Sequence, residues 1–380
     1  MSNNIPSSVF SAAAMPGLLI TQPKYQTLHM KRIDAINARV TELAERAATL
    51  DINSPEREGI EHQAWCLNRY KGISGTAASV IMGHNAYRTR YNYFNTITGR
   101  VLPDNTTSRF AHWGHNLESV VAEEYKRLSG NNIMEVSTMI SPLFPFMSAS
   151  VDRIIVDSNM TAAGILEVKT AGFATPAWGA GNKYITARNI DGTSSRQLVE
   201  ADDQVPAAYR DQVMHYMIAY GIYKATLVAL IGGNDYREYT IEFDREYAEE
   251  LIRAEDEFYC KHVLEDIAPA IAAADADEMV PVKGAQVEAT SDIAAKLNEY
   301  AAMLQSIKEL TAQADQLKDD IKAFAGDNED ITIQGKVAAR YAMITRKGSL
   351  DTKALEIDMP EVVDRYRKPS TSYRSLTVKL

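Results

Sequence analysis

The 380-residue sequence predicts an α/β fold: a mixed central sheet flanked by helices, then a long helix and a small basic α+β tail. Three observations predict it. Strand-like apolar runs, such as ATLVALIGG at 225–233, alternate with segments of helical period across 60–268. From 291 to 325 apolar residues return every three or four positions. Between these regions, 269–290 has the Ala-, Asp- and Pro-containing composition of a linker.

The elements follow in order. Residues 1–59 read as an N-terminal extension, poorly ordered over 1–27, with one helix at 29–50 that lines up Ile33, Ile36, Val40 and Leu43. DINSPEREG at 51–59 reads as a linker. A helix is expected at 74–82, stopped by Gly83, and another at 114–128, stopped before SGNN. Strands are expected at 147–156 and 164–170, and a long loop at 171–205. Pro206 suits the first turn of a helix running to about 220. ATLVALIGG and the alternating REYTIEF (237–243) are strands, and 244–267 is helical. The 291–325 helix carries Leu297, Leu304, Ile307, Leu317 and Ile321 along a seam fit for a helical hairpin or a coiled coil. The 326–380 unit is expected to hold strands near 331–345 and 373–379.

Composition excludes several classes. Two cysteines, Cys66 and Cys260, cannot build a disulfide framework or a four-cysteine metal site, and they suit a reducing cytoplasm. No run of about 20 apolar residues calls for a membrane. A net charge of −10 argues against a nucleic-acid coat. The charge is uneven, however. Ile331 to Leu380 holds ten Lys or Arg against five Asp or Glu, so the rest of the chain is at −15.

The stretch GILEVKTAGF (164–173) carries Glu167 and Lys169 inside a strand-like run. About one Glu-x-Lys arises by chance in a chain this long, and a second occurs at Glu124 and Lys126. Geometry separates them. Side chains two apart share a face in a strand, whereas on a helix they diverge by roughly 200°. Only Glu167 and Lys169 can converge. If 147–156 and 164–170 form a hairpin, opposed residue numbers sum to 319, and Asp152 faces Glu167. Like charges there destabilise a sheet. A hard cation, Mg²⁺ or Mn²⁺, removes the penalty by taking both carboxylates, with the Val168 carbonyl as a further ligand.

Asp152 followed by Glu167-Val168-Lys169 resembles the PD-(D/E)xK nuclease superfamily. RYKGISGTAASVIMG, GHNLESVVAEEY, SASVDRI, ILEVKTA and YRDQVMHYMIAYG, in that order over roughly 65–265, resemble the YqaJ-type phage exonuclease and recombinase group, which is lambda-exonuclease-like. Val151 stands where the superfamily often has proline. The resemblance implies a restriction-endonuclease-like core. It implies that Asp152, Glu167 and Glu118 serve the metal, and that Lys169 activates water and stabilises developing charge. Gln212 and Tyr216 would lie near the nucleophile. Arg69, Thr76 and Ser150 match a 5′-phosphate pocket. The implied partners are double-stranded DNA, a single-strand-annealing recombinase and a homo-oligomer, a trimer by resemblance. The implied activity is Mg²⁺-dependent, 5′-to-3′ degradation of duplex DNA that leaves single-stranded tails. An endonuclease or nickase, and an inactive DNA-binding or scaffolding protein, are the alternatives.

Other motifs have plainer readings. HWGH (112–115) with Glu118 suggests zinc but lacks a fourth ligand, and a helix would splay His112 from Glu118. RTRYNYF (88–94) mixes cations and rings as nucleic-acid grooves do, and equally suits a surface loop over a core. RYRKPSTSYR (365–374) fits a phosphate grip or a solvated surface.

Overall fold

A computed structural model of the chain describes residues 15–101, 109–173, 178–188, 194–279, 286–368 and 376–378. Residues up to Asp275 form one compact unit and those from Ala276 a second.

The first unit opens with helices α1 (Pro23–Ala48) and α2 (Pro55–Arg69), strand β1 (Ile73–Ser74), and helices α3 (Gly75–Met82), α4 (Arg90–Ile97) and α5 (Arg109–Ser129). Strands β2 (Asn132–Met134), β3 (Met139–Ile140), β4 (Met147–Ala149), β5 (Arg153–Val156) and β6 (Ala162–Ala171) follow. Then come β7 (Lys183–Arg188), β8 (Ser194–Val199), α6 (Ala207–Tyr220), β9 (Lys224–Ile231), β10 (Asp235–Glu242) and α7 (Arg245–Glu257). A helix α8 (Ala273–Glu278) crosses the boundary. The second unit holds α9 (Ser291–Ala325), the hairpin β11 (Asp330–Ile333) and β12 (Lys336–Arg340), α10 (Thr352–Asp358) and α11 (Pro360–Tyr366).

The main sheet has the order β10-β9-β6-β5-β2. It is mixed: β6 runs parallel to β9, and the other pairs are antiparallel. Helices cover both faces of β6. On one, Leu166 and Val168 pack with Val121, Ala122 and Tyr125 of α5. On the other, Ile165 joins Val213, Met214 and Met217 of α6 in the main core. This double cover explains why Gly164 to Val168 are all buried rather than alternating.

Three expectations needed correction. The strand expected at 147–156 is two strands in different sheets. β4 lies between β1 and β3 in a small sheet, and β5 joins the main one. Residues 150–152 carry the chain across. Second, the expected linker at 51–59 already contains the start of α2. Ser54 caps it by accepting the Arg57 N–H at 3.1 Å, and Pro55 occupies the first turn, where a missing N–H costs nothing. Third, the expected loop at 171–205 contains the hairpin β7–β8, whose ladder runs Lys183↔Val199 to Arg188↔Ser194.

Ends also differ from expectation. Within 1–27, the described part from Met15 is packed: Leu18 and Ile20 are buried, and the Asp256 carboxylate accepts the Leu19 and Ile20 N–H groups at 2.5 and 2.9 Å. Residues 1–14 lie outside the described part. The helix after Asp244 runs through α7 into a π-helical turn at Phe258–Leu264. In the tail, β11–β12 is shorter than expected. Residues 376–378 are not in a strand, and the rest of the strand expected at 373–379 lies outside the described residues. α9 spans the range expected of it but forms a single helix, not a hairpin.

A buried pair ties α6 to its surroundings. His215 Nδ1 lies 2.8 Å from Glu255 Oε1 on α7, and its Nε2 lies 3.1 Å from the Ser148 carbonyl on β4, with both side chains fully buried. Replacing His215 by Ala would strand the Glu255 carboxyl without its partner. We expect a loss of about 3–5 kcal/mol in urea-unfolding free energy.

Candidate active site

The β5–β6 ladder has the register read from the sequence over Arg153↔Leu166, Ile154↔Ile165 and Ile155↔Gly164, and then shifts by one to pair Val156 with Ala162. Asp152 sits one residue before β5, where the chain has just left the small sheet. Its Oδ2 accepts the Val168 N–H at 2.7 Å. That N–H would otherwise face an edge that β5 no longer covers. An extended residue sends its N–H and C=O to the same edge, so the Val168 carbonyl faces the Asp152 side too.

Glu167 and Lys169 are on the same face of β6, as their spacing requires, with Lys169 Nζ 2.5 Å from Glu167 Oε1. Gln212 of α6 donates from Nε2 to the same Glu167 oxygen at 2.7 Å and lies 3.0 Å from the Tyr216 hydroxyl one turn on. Glu167 is 2% exposed, and its Oε2 is buried with no hydrogen-bond partner among the described residues. An unpartnered buried carboxylate oxygen costs free energy unless an ion or a water satisfies it.

The electrostatics follow from this crowding. Burial first, then the nearby Asp152 and Glu118 carboxylates, pushes Glu167 up to about 7 despite Lys169. Burial also raises Asp152, against the pull of Lys169 and the Val168 N–H. Burial works to lower Lys169, but Glu167 and Asp152 outweigh it and raise its pKa. The ammonium therefore stays charged. Burial beside Glu167 lifts the Tyr216 phenol well above its ordinary range, so it remains protonated.

Glu118 takes a different place. Its Oε1 is 3.1 Å from Nη1 of Arg153, which also donates to the Asp152 carbonyl at 2.5 Å, while Nη2 of the same arginine reaches Glu135 at 2.9 Å. Arg153 pairs across the ladder with Leu166, so it shares the α5 face of the sheet, away from Glu167 and Lys169. The sequence reading missed this arginine. Its signal was its place beside Asp152 and opposite an apolar residue. A cleft of about 450 Å³ is lined by His115, Glu118, Ser150, Asp152 and Arg153 among others.

The three expected phosphate residues divide. Ser150 is exposed and lines that cleft. Thr76 is exposed and its hydroxyl lies 3.1 Å from that of Ser74, whose strand partner is Ser148; Thr76 and Ser150 thus leave the same end of the β1–β4 pair. The Arg69 guanidinium stands 4.7 Å from the Trp65 ring centroid. Among the described residues no hydrogen bond joins the three to one another. The second Glu-x-Lys is a surface arrangement on α5, with Glu124 on Arg127 at 2.5 Å and Lys126 on Glu123 at 3.6 Å.

Among the described residues no three His, Cys, Asp or Glu side chains form a ready metal cluster. His112 turns to Asn116 at 3.1 Å, which leaves the zinc reading without support. Two carboxylates and a carbonyl do fit Mg²⁺, which keeps several waters and uses one or two carboxylates plus substrate phosphate. The unpartnered Glu167 Oε2 is the observation that favours the fit.

One further contact shapes the site. A Cβ at Gly75, the first residue of α3, would stand 2.3 Å from Cε1 of Tyr216. Gly75→Ala should displace the ring from Gln212 and cost about 1–3 kcal/mol in urea unfolding, as overpacking does.

Residues 64–222 match the YqaJ-like viral recombinase domain family. The chain is also 30% identical over 347 residues to the uncharacterized protein YqaJ of Bacillus subtilis (strain 168), covering 88% of this chain and 98% of that one. The chain belongs to the YqaJ-like viral recombinase family. Among solved structures it is similar to an alkaline exonuclease, LHK-Exo, from Laribacter hongkongensis, at 15% identity and a TM-score of 0.35 over 54% of this chain and 97% of that one. A phage-related exonuclease from Haemophilus somnus 129PT gives 10% identity and a TM-score of 0.31 over 52% and 96%. No helix of the described residues is long and apolar enough to cross a membrane.

Proposed function

We propose that the protein is a divalent-metal-dependent deoxyribonuclease that degrades linear duplex DNA from an end, 5′ to 3′, and leaves single-stranded tails for a recombinase that anneals them. The observation that carries this reading is the meeting of Asp152, Glu167 and Lys169 at the β5–β6 edge, with a Glu167 oxygen left unpartnered. Asp152, Glu167 and the Val168 carbonyl would hold Mg²⁺ or Mn²⁺, with Glu118 joining when it leaves Arg153. When bound, the metal would supply Lewis acidity and lower the pKa of a water. The chain's own groups do the rest. Lys169 places a fixed positive charge where negative charge develops on phosphorus. Gln212 holds Glu167 in place and, with Tyr216, offers polar groups beside the attacking water. Ser150, Thr76 and Arg69 would grip the terminal 5′-phosphate.

End-labelled linear duplex, with and without a 5′-phosphate, and covalently closed circular duplex test this reading in Mg²⁺. Loss of the 5′-label from the phosphorylated linear substrate, with the circle intact, is the expected result. Cutting of the circle at a comparable rate would make the protein an endonuclease or nickase.

A further inference from the structure

The 35 residues of α9 leave nearly all of their apolar side chains in solvent. Tyr300, Leu304, Ile307, Leu310, Leu317 and Ile321 are 43 to 63% exposed, and Ala325 is the helix's one buried residue among those described. They follow a seven-residue repeat. Ile293, Tyr300, Ile307, Ala314 and Ile321 form one row, flanked by Leu297 and Leu304 on one side and by Met303, Leu310, Leu317 and Phe324 on the other. The rows contain no acid. A helix with such a stripe does not gain stability in water until something covers it.

We infer that a second copy of α9 covers this stripe, so that two chains are joined through a coiled coil. Three arguments select this occupant. The first is area. Nine large apolar side chains, at the exposures seen here, offer roughly 1,000 Å², against about 800 Å² per partner in a standard interface. The second is pattern. A heptad row provides both the knobs and the holes that a copy of itself needs, and closed two-fold pairing is the commonest assembly of identical chains. The third is charge. The helix carries four lysines against six acids, which disfavours both a phosphate backbone and an anionic membrane surface.

The inference does not depend on the nuclease reading. Light scattering on the full chain should give a multiple of the 42.1 kDa chain mass. Replacing Leu304 and Ile307 together by Glu should halve it while leaving the circular-dichroism melt of the compact unit in place, because both side chains are exposed. A second variant keeps the test independent of any contact elsewhere. Ile in the central row with Leu310 and Leu317 beside it favours a parallel two-stranded coil, in which Ile307 faces its own counterpart, and the native Cys66 and Cys260 are buried. Ile307→Cys should therefore form a disulfide-linked dimer under mild oxidation. A single-chain mass for the unaltered protein, an unchanged mass in the double-Glu variant, or no cross-link through Cys at 307 would each overturn the inference. So would a single-chain protein that cosediments with phosphatidylglycerol vesicles, which would give the stripe to a membrane.

Discussion

Lys169→Ala is expected to slow DNA hydrolysis by about 10²–10³-fold, while duplex affinity measured in Ca²⁺ changes little. The loss has two sources. The ammonium contributes a fixed positive charge in a site largely closed to water, where such charges act most strongly. It is also the partner of Glu167 Oε1, and without it the buried carboxyl would be raised further by desolvation. Metal binding would then weaken at neutral pH. Lys169→Arg should not rescue activity, since the broader guanidinium must enter a space framed by Glu167 and the Tyr209 ring, 5.3 Å from Nζ. Single-turnover rates and filter binding separate the two quantities. A Lys169→Ala protein that cleaves at the parental rate would remove Lys169 from the chemistry.

Glu167→Gln is expected to stabilise the metal-free protein at pH 8 and to abolish its response to metal. Folding lifts Glu167 from 4.5 to about 7, so between these values the folded chain holds a proton that the unfolded chain has released. Stability from this group is therefore full below pH 4.5 and is lost as pH rises through 7. At pH 8 the folded protein bears a buried carboxylate with one oxygen unsatisfied. A divalent ion offsets that cost, so Mn²⁺ should raise the melting temperature more at pH 8 than at pH 5.5. The glutamine variant carries no charge to relieve. It should melt higher than the parent without metal at pH 8 and gain nothing from Mn²⁺ at either pH. Equal metal-induced shifts in parent and variant would place the ion elsewhere.

Much of this site was legible in the sequence because β-strand periodicity is strict. Two-residue spacing put Glu167 and Lys169 on one face, and a constant residue sum paired the hairpin correctly from Arg153 to Ile155, up to the shift at Val156. Helical period likewise set Gln212 and Tyr216 on one side of α6. What the sequence hid was non-local. Nothing in SASVDRI announces that the chain changes sheets between Ala149 and Arg153, since both halves are equally apolar and the break is imposed by which strands they meet. The Arg153 bridge to Glu118 and Glu135 joins residues 35 and 18 positions away and has no spacing rule. Ser54-Pro55 is different: a cap followed by a first-turn proline is a local signal in the sequence, set inside a polar run of linker composition.

The three residues that hand the chain from the small sheet to the main one also act as a ruler. Connections in proteins commonly absorb an extra residue without harm. Here the passage from Ala149 to Arg153 is anchored by a ladder at each end, and the acid that faces Val168 is its last member. One residue added between Asp152 and Arg153 would leave both ladders able to form, yet it would carry that acid out of reach of its partner. Length in this short crossing is thus a determinant of chemistry as strict as the identity of the side chains themselves.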